Sequence, residues 1–268
     1  LKLKKEGFMD ILSKTFDLTG KTIIVTGGSK GLGKTMALAL AEAGADVVVA
    51  SRTLSELEKT AGEIRDLKRE SLAIKADITS EVQVRSMVEE TIEKFGKIDV
   101  LVNNAGMGRI DKPPEKTNLK EWSEVMETNV TGTFICSKEV ASKMIARKKG
   151  KIINLASMSG FIINRYVHGG AYDCSKLAIV ALTKALAVEW APYKITVNAI
   201  APGYFRTEPN EIFFQRYPDF YQKVIDMTPL RRIGNPQELS GLIIYLASEA
   251  SNFMTGSTIL IDGGYTLW

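Results

Sequence analysis

Tyr172 and Lys176 stand four residues apart in a stretch whose apolar residues recur at helical spacing, so the phenol and the ammonium share one helix face. An ammonium about 4 Å from a phenolate, at an effective dielectric near 20, favours the charged phenol by roughly 4 kcal/mol. That is enough to bring a tyrosine down by about one to three units from its usual value near 10. Such a pair can give a proton to a developing alkoxide or take one from an alcohol. None of the other seven tyrosines has a lysine at this offset. The spacing alone is equally consistent with an ordinary tyrosine on an amphipathic helix. Ser157 follows the apolar run Lys151–Leu155, where its hydroxyl could bond a substrate oxygen, and Ser159 is the competing hydroxyl in the same loop.

A second chemical signal is Thr26-Gly27-Gly28-Ser29-Lys30-Gly31-Leu32-Gly33, between an apolar run and a helical pattern. Glycines at Gly27, Gly31 and Gly33 let the backbone approach a pyrophosphate, and the following helix N-terminus supplies unpaired N–H groups. The same residues also satisfy a P-loop pattern, Gly28 to Gly33-Lys34-Thr35, with Asp262 available as a magnesium-supporting carboxylate. A P-loop hydrolase would further need a water-positioning residue and switch segments, and none is identifiable. In the dinucleotide reading, an acidic residue about 20 positions on would bind a free ribose hydroxyl. Ser51 and Arg52 occupy that place, and Lys30 adds a second cation. This predicts NADP(H) in preference to NAD(H).

Composition narrows the classes. The 268 residues are 45% hydrophobic and 25% charged, which fits a globular chain with a core of its own rather than a disordered or fibrous one. Lys plus Arg at 35 against Asp plus Glu at 31 leaves +4, too weak and too dispersed to argue for nucleic acid or a membrane surface. The lone His168 with Cys136 and Cys174 excludes most zinc sites, which need three or four such ligands at short spacing, so no metal is expected. The cysteines read as reduced thiols. Leu1–Gly20 has no apolar core of a signal peptide, and no window approaches a membrane span. A soluble cytoplasmic protein is expected.

These residues need elements to hold them. Apolar β-branched runs at Thr22–Thr26, Asp46–Ala50, Leu72–Lys75, Ile98–Val102, Lys151–Leu155, Thr196–Ile200 and Thr258–Ile261 read as buried strands. Helical patterns alternate with them at Leu32–Ala43, Leu54–Lys68, Glu81–Phe95, Glu121–Arg147, Tyr172–Trp190 and Gln237–Leu246. The alternation predicts an α/β fold, a single-domain Rossmann-type doubly wound parallel sheet of about seven strands with helices on both faces. Residues 1–19 read as an N-terminal extension and 20–268 as one dinucleotide-binding and catalytic domain. The irregular stretch 203–235 follows a strand end, where ligands bind, and reads as a lid.

With Thr26–Gly33, Asn103-Asn104-Ala105-Gly106, Asn129, Ser157, Tyr172-x-x-x-Lys176 and Pro202-Gly203-x-x-x-Thr207 in order, residues 18–265 resemble the short-chain dehydrogenase/reductase family. The resemblance implies a nicotinamide-dependent oxidoreductase that assembles as a homotetramer. It implies a catalytic set of Asn129, Ser157, Tyr172 and Lys176, with Asn129 distorting its helix and holding a water that links the lysine to solvent. It also implies that Lys176 binds the ribose, that Asn104, Ala105 and Gly106 line the adenosine side, and that Asp77, beside Ile78, accepts from the adenine. Thr207, after Pro202 and Gly203, would bond the carboxamide. The helices Glu121–Arg147 and Tyr172–Trp190 and the segment through Trp268 are the expected interfaces. A non-catalytic dinucleotide-binding protein is the alternative of another class, and it would be expected to lack one of the four catalytic residues.

The stretches Pro202–Glu208, Thr228–Leu239 and Asp262–Gly264 are similar to the gluconate 5-dehydrogenase branch, and parts are shared with acyl-carrier-protein ketoreductases. A small polyhydroxylated oxo acid, such as 5-ketogluconate with gluconate as its alcohol, is the expected substrate. Arg109, Arg165, Arg206, Arg216, Arg231 and Arg232 are candidate carboxylate clamps, and Arg206, beside Thr207, is the preferred one. A 3-oxoacyl thioester reductase would instead need an apolar channel, which Phe205, Phe213, Phe214, Phe220 and Tyr221 could line. His168, in the loop before Tyr172, is expected at the surface or in the substrate pocket.

Overall fold

The computed structural model of the protein describes residues 14–268. Residues 1–13 of the expected N-terminal extension lie outside the described residues. Leu18, in the remainder, is fully buried, and its N–H donates to the Ala43 carbonyl at 2.9 Å.

Seven parallel strands form one sheet: β1 (Thr22–Thr26), β2 (Asp46–Ser51), β3 (Ser71–Lys75), β4 (Val100–Asn103), β5 (Gly150–Leu155), β6 (Ile195–Pro202) and β7 (Thr258–Ile261). Their order is β3-β2-β1-β4-β5-β6-β7. The winding therefore reverses between β1 and β4, which opens a crevice at the carboxyl ends of those strands. The helices are α1 (Gly31–Glu42), α2 (Leu54–Asp66), α3 (Glu81–Phe95), α4 (Leu119–Met126), α5 (Gly132–Arg147), α6 (Gly170–Trp190), α7 (Glu208–Arg216), α8 (Pro218–Met227) and α9 (Ser240–Ala247).

The strands are apolar in unbroken runs because both faces are covered. Ile23, Val25, Val47 and Val49 pack with Met36 and Leu40 of α1, Leu57 of α2 and Ile243 of α9. Their neighbours Ile24 and Val48 point the other way, to Met87 of α3, Met144 of α5 and Leu186 of α6. Side chains alternate across a strand with period two, so each strand feeds two cores.

Several boundaries differ from the sequence reading. The expected helix Glu121–Arg147 is two helices: α4 begins at Leu119, where Asn118 and Glu121 form a capping box, and a π-helical turn over Glu127–Thr131 separates it from α5. Insertion of a π turn changes the helical phase, which apolar spacing does not report. The stretch 203–235 is not irregular. It holds α7 and α8, whose Phe213, Phe214 and Phe220 rings pack on one another and on Tyr204, which precedes α7. The expected helix Gln237–Leu246 opens as a 3-10 turn over Pro236–Leu239 before α9. Strand β4 starts at Val100 rather than Ile98, and β6 runs on through Pro202. Among the described residues no helix is long and apolar enough to cross a membrane.

Beneath the crevice lies a buried polar chain. Asn103 of β4 donates to Ser137 Oγ and to Asn154 Oδ1, both at 2.9 Å, and Asn154 of β5 donates to Thr183 Oγ1 of α6 at 3.0 Å. It ties two strand ends to helices on one face. Asn154→Ala removes the middle link and leaves Asn103 short of a partner, so it should cost about 1–3 kcal/mol. A lower urea midpoint with an unchanged slope is the expected result.

Candidate functional site

The glycine turn is built against the end of β4. Asn104 Nδ2 donates to the carbonyls of Thr26 and Gly27, each at 3.0 Å, and the Thr26 hydroxyl oxygen accepts from the N–H groups of Asn104 and Ala105, each at 3.1 Å. Gly27 has φ of +64°, and a Cβ there would stand 2.7 Å from Asn104 Nδ2. A Cβ on Gly33 would collide with the Gly27 carbonyl and the Asn104 amide. The chain turns this tightly only with glycine at both places. Lys30 is the N-cap of α1 and makes no side-chain cap, so the first-turn N–H groups face the crevice without a side-chain acceptor.

Lys34 lies on the first turn of α1 and pairs with Glu63 at 2.7 Å. Asp262 is equally committed: its carboxylate accepts from the N–H groups of Gly264 and Thr266, each at 2.9 Å. These engagements remove the two residues that the P-loop alternative required.

Every predicted site residue except Asn129 lines one of two adjoining hollows. A cleft of about 970 Å³ takes Gly27, Ser29, Lys30, Ser51, Arg52, Asp77, Ile78, Asn104, Ala105 and Gly106. A hollow of about 300 Å³ takes Gly31, Leu32, Gly33, Ser157, Tyr172, Lys176, Pro202, Gly203 and Thr207, with Lys30, Asn104 and Gly106 shared between the two. Thr79, donating to Asp77 from N–H and hydroxyl, holds the Asp77 carboxyl below the usual range, and Arg52 adds to this. The sequence reading missed Glu56, which enters the same cleft and accepts from Ser29 Oγ at 3.2 Å.

Beyond Tyr172 a third hollow, about 370 Å³, is lined by Arg109, Ser157, Tyr204, Asn210, Phe213 and Phe220 among others. The phenol thus stands where two of the spaces meet. Ser157 lines both of these spaces with it and lowers the pKa of the phenol. Ser159 is spent elsewhere: its hydroxyl oxygen accepts from Arg109 Nη2 at 2.8 Å and Asn164 Nδ2 at 3.1 Å. That separates the two serines.

The electrostatics differ from the sequence expectation. Lys176 is buried, its Nζ donates to the Leu155 carbonyl at 2.8 Å and lies 5.6 Å from the centre of the Tyr172 ring, and burial lowers its pKa to about 8. Burial raises the Tyr172 phenol above its ordinary range; the Ser157 bond and the Arg109 guanidinium pull it down, and Asp173 pushes it up. The expected net depression by Lys176 is therefore not what the geometry produces, because removing the phenolate from water outweighs the nearby cations.

Asn129 is buried within the π-helical turn. Its Nδ2 donates to the Met107 carbonyl and to Ser175 Oγ, each at 3.0 Å, and its Oδ1 accepts from the Met107 N–H at 2.6 Å. The side chain thus braces the loop after β4 against α6.

Arg206 does not fit the clamp assigned to it. It is about half exposed and pairs with Glu211 at 3.3 Å. Arg231 pairs with Asp226, and Arg232 with Glu238, at the surface. Arg109 alone of the six lines the hollow beyond Tyr172. Its position six residues past the end of β4, at the ligand end of the sheet, was the available signal. Of the five aromatics, Phe213 and Phe220 face this hollow, while Phe214 is buried in the lid's own core. His168 is exposed, with its backbone N–H on Asp111. At the chain end Tyr265 is core, whereas Leu267 and Trp268 are exposed. Among the described residues no group of three His, Cys, Asp or Glu could hold a metal.

Comparison with known proteins agrees with this architecture. A family model described as enoyl-(acyl carrier protein) reductase matches residues 27–266. The chain is 39% identical over 260 residues to 2-dehydro-3-deoxy-D-gluconate 5-dehydrogenase of Dickeya dadantii, covering 95% of this chain and 99% of the relative. A short-chain type dehydrogenase/reductase from Mycobacterium marinum superposes with TM-score 0.89 at 44% identity, covering 94% and 98% of the two chains. A gluconate 5-dehydrogenase from Burkholderia cenocepacia, solved with NADP and tartrate, superposes with TM-score 0.90 at 36% identity, covering 96% and 99%.

Proposed function

The chain belongs to the short-chain dehydrogenase/reductase family, and from that premise we propose that it interconverts a ketone and a secondary alcohol of a sugar acid, with NADP(H). It is an oxidoreductase that uses a nicotinamide dinucleotide. The cleft fits such a cofactor: Gly27 and Gly33 let the turn close on Asn104, where a Cβ would collide, and the α1 N-terminus at that turn has no side chain of its own capping it. Gly27–Gly33, Asn104–Gly106 and Asp77 would hold the adenosine and phosphates, Lys176 the ribose, and Thr207 the carboxamide. The bound nicotinamide supplies or accepts the hydride.

The chain's own groups move the proton. The observation that carries the reading is Tyr172, which with Ser157 lines both the hollow beside the glycine turn and the hollow beyond it. In reduction the phenol donates to the substrate oxygen while Ser157 bonds the same atom. In oxidation the phenolate takes the alcohol proton. Lys176 presents a cation one helical turn away. Asn129 acts from behind, by fixing the loop that carries Gly106 and Met107.

For the substrate, Arg109 replaces Arg206 as the cation on the cavity wall, and a guanidinium in a partly desolvated pocket suits a carboxylate. The relatives that act on sugar acids, and the neighbour holding tartrate, support this choice. A 3-oxoacyl thioester reductase is the second reading, favoured by the apolar Phe213 and Phe220 and by a relative, 36% identical, named 3-oxoacyl-[acyl-carrier-protein] reductase. Assay of 5-ketogluconate against an acetoacetyl thioester with NADPH decides between them, and a higher kcat/KM for the thioester would overturn the sugar-acid reading.

Tyr172→Phe should abolish turnover while NADPH binding, followed by nicotinamide fluorescence, stays close to wild type. Because burial raises the phenol, the base form needed for oxidation accumulates only on the alkaline side. Alcohol oxidation should therefore climb with pH through the alkaline range, and ketone reduction should not. Residual turnover in the variant would remove Tyr172 from its role.

For the cofactor, Ser51 and Arg52 stand at the end of β2, and Lys30 lies in the same cleft. Arg52→Asp should reverse the preference from NADP(H) toward NAD(H). Equal kcat/KM for both cofactors in the wild type counts against the assignment. A homotetramer is proposed from the exposed Leu119, Trp122, Phe134, Leu177 and Val188 on α4, α5 and α6, and a monomeric mass by light scattering would refute it.

A further inference from the structure

Asp173 directly follows the phenol on α6 and is a buried carboxylate. Its Oδ1 accepts from Arg109 Nη2 at 2.8 Å, and its Oδ2 is buried with no hydrogen-bond partner. Gly169 is packed against this carboxylate, where any Cβ would collide with it. Asp173 lies in the first turn of α6, where a negative charge is favoured. Arg109 comes from the opposite wall, on the loop after β4. Its Nη2 also reaches Ser159 Oγ at 2.8 Å, and its guanidinium carbon is 5.3 Å from the centre of the Tyr172 ring. Among the described residues Nη1 and Nε of Arg109 make no hydrogen bond, although the side chain lines the hollow beyond Tyr172.

We propose that Asp173 is a positioning residue that anchors Arg109 by one nitrogen, so that the rest of the guanidinium is held toward the hollow to meet an anionic group on the substrate. The proposal rests on the reading of the site as one for an oxo acid. The neutral partners around Ser159 do not suffice: one hydroxyl gives a long side chain on a loop a single neutral contact, whereas a buried carboxylate gives it a charge-assisted one. The pair also brackets the phenol with opposite charges. The groups that face Tyr172 are Arg109 from the loop after β4, Asp173 and Lys176 from α6, Ser157 from the end of β5 and Tyr204 from the end of β6. Of these, Arg109 favours the phenolate and Asp173 opposes it.

Two measurements test the assignment. With NADPH, KM for 5-ketogluconate is compared with KM for fructose, an uncharged ketose. Loss of a hydrogen-bonded charge is worth about tenfold to hundredfold, so in Asp173→Leu the ratio of the two KM values should rise by that factor. Arg109→Met should raise it equally, and the double variant Arg109→Met/Asp173→Leu no further. The double variant replaces the ion pair with apolar side chains and so guards against misfolding from a single buried charge. An equal loss for both ketones, or an added loss in the double variant, would overturn the proposal.

The second measurement needs no substrate. The alkaline absorbance titration of tyrosinate, with the Tyr172→Phe protein subtracted, reports the phenol directly. Arg109→Met should move it to higher pH. Asp173→Leu should leave it near wild type, because releasing Arg109 removes both opposing charges together. A shift to lower pH in Asp173→Leu would mean that Arg109 stays in place without its anchor, and would overturn the proposal even if the wild type ignored every oxo acid.

Discussion

Thr26 and Asn104 close the end of the sheet at the place where its winding reverses. Their side chains bond across from β1 to the turn after β4, and both hold the glycine turn. Everything downstream takes its position from this clamp. The uncapped start of α1 faces the crevice because the turn is tight, and the turn is tight because the Asn104 amide occupies the space a Cβ would need. On the far side of the same crevice β5 ends at Leu155, whose carbonyl fixes Lys176, and Ser157 follows two residues later.

The site concentrates charge in a place that water reaches poorly. Lys176 and Asp173 are buried and Tyr172 is half-buried, and an isolated ion there would be costly. Each is managed differently. Lys176 bonds a backbone carbonyl and its pKa falls to about 8. Asp173 accepts from the Arg109 guanidinium in the first turn of α6, and burial raises the pKa of the Tyr172 phenol while Ser157 lowers it. A low dielectric strengthens every change in these contacts, which suits the proton transfer in either direction proposed for Tyr172.

Strand positions were readable because parallel strands covered on both faces are continuous apolar runs, and only their ends moved. The residues of the glycine-turn cleft were readable because glycine spacing and a strand end are local features. Arg109 was among the candidate clamps, but its pairing with Asp173 was not readable, since nothing in a single sequence says that a loop arginine crosses to a helix 64 residues away. The π-helical turn at Asn129 was hidden from apolar spacing, because it preserves the composition of a helix while changing its phase; only the family resemblance implied a distortion there. The stretch 203–235 looked irregular since its prolines and aromatics break the usual pattern. Its two helices are organised around their own rings rather than around the sheet.

That last arrangement bears on how such a protein can diversify. Met158, Phe214, Val224, Ile233 and Tyr265 form a nucleus that shares no buried residue with the two cores flanking the strands. Substitutions at well-separated sites combine almost independently. Changes at Phe213 or Phe220 therefore remodel the wall of the hollow beyond Tyr172 at an energetic cost confined to that nucleus, while the sheet and its glycine turn keep their shape. The fold contains an exchangeable part, and descent with modification can work on selectivity there without re-solving the folding problem of the sheet.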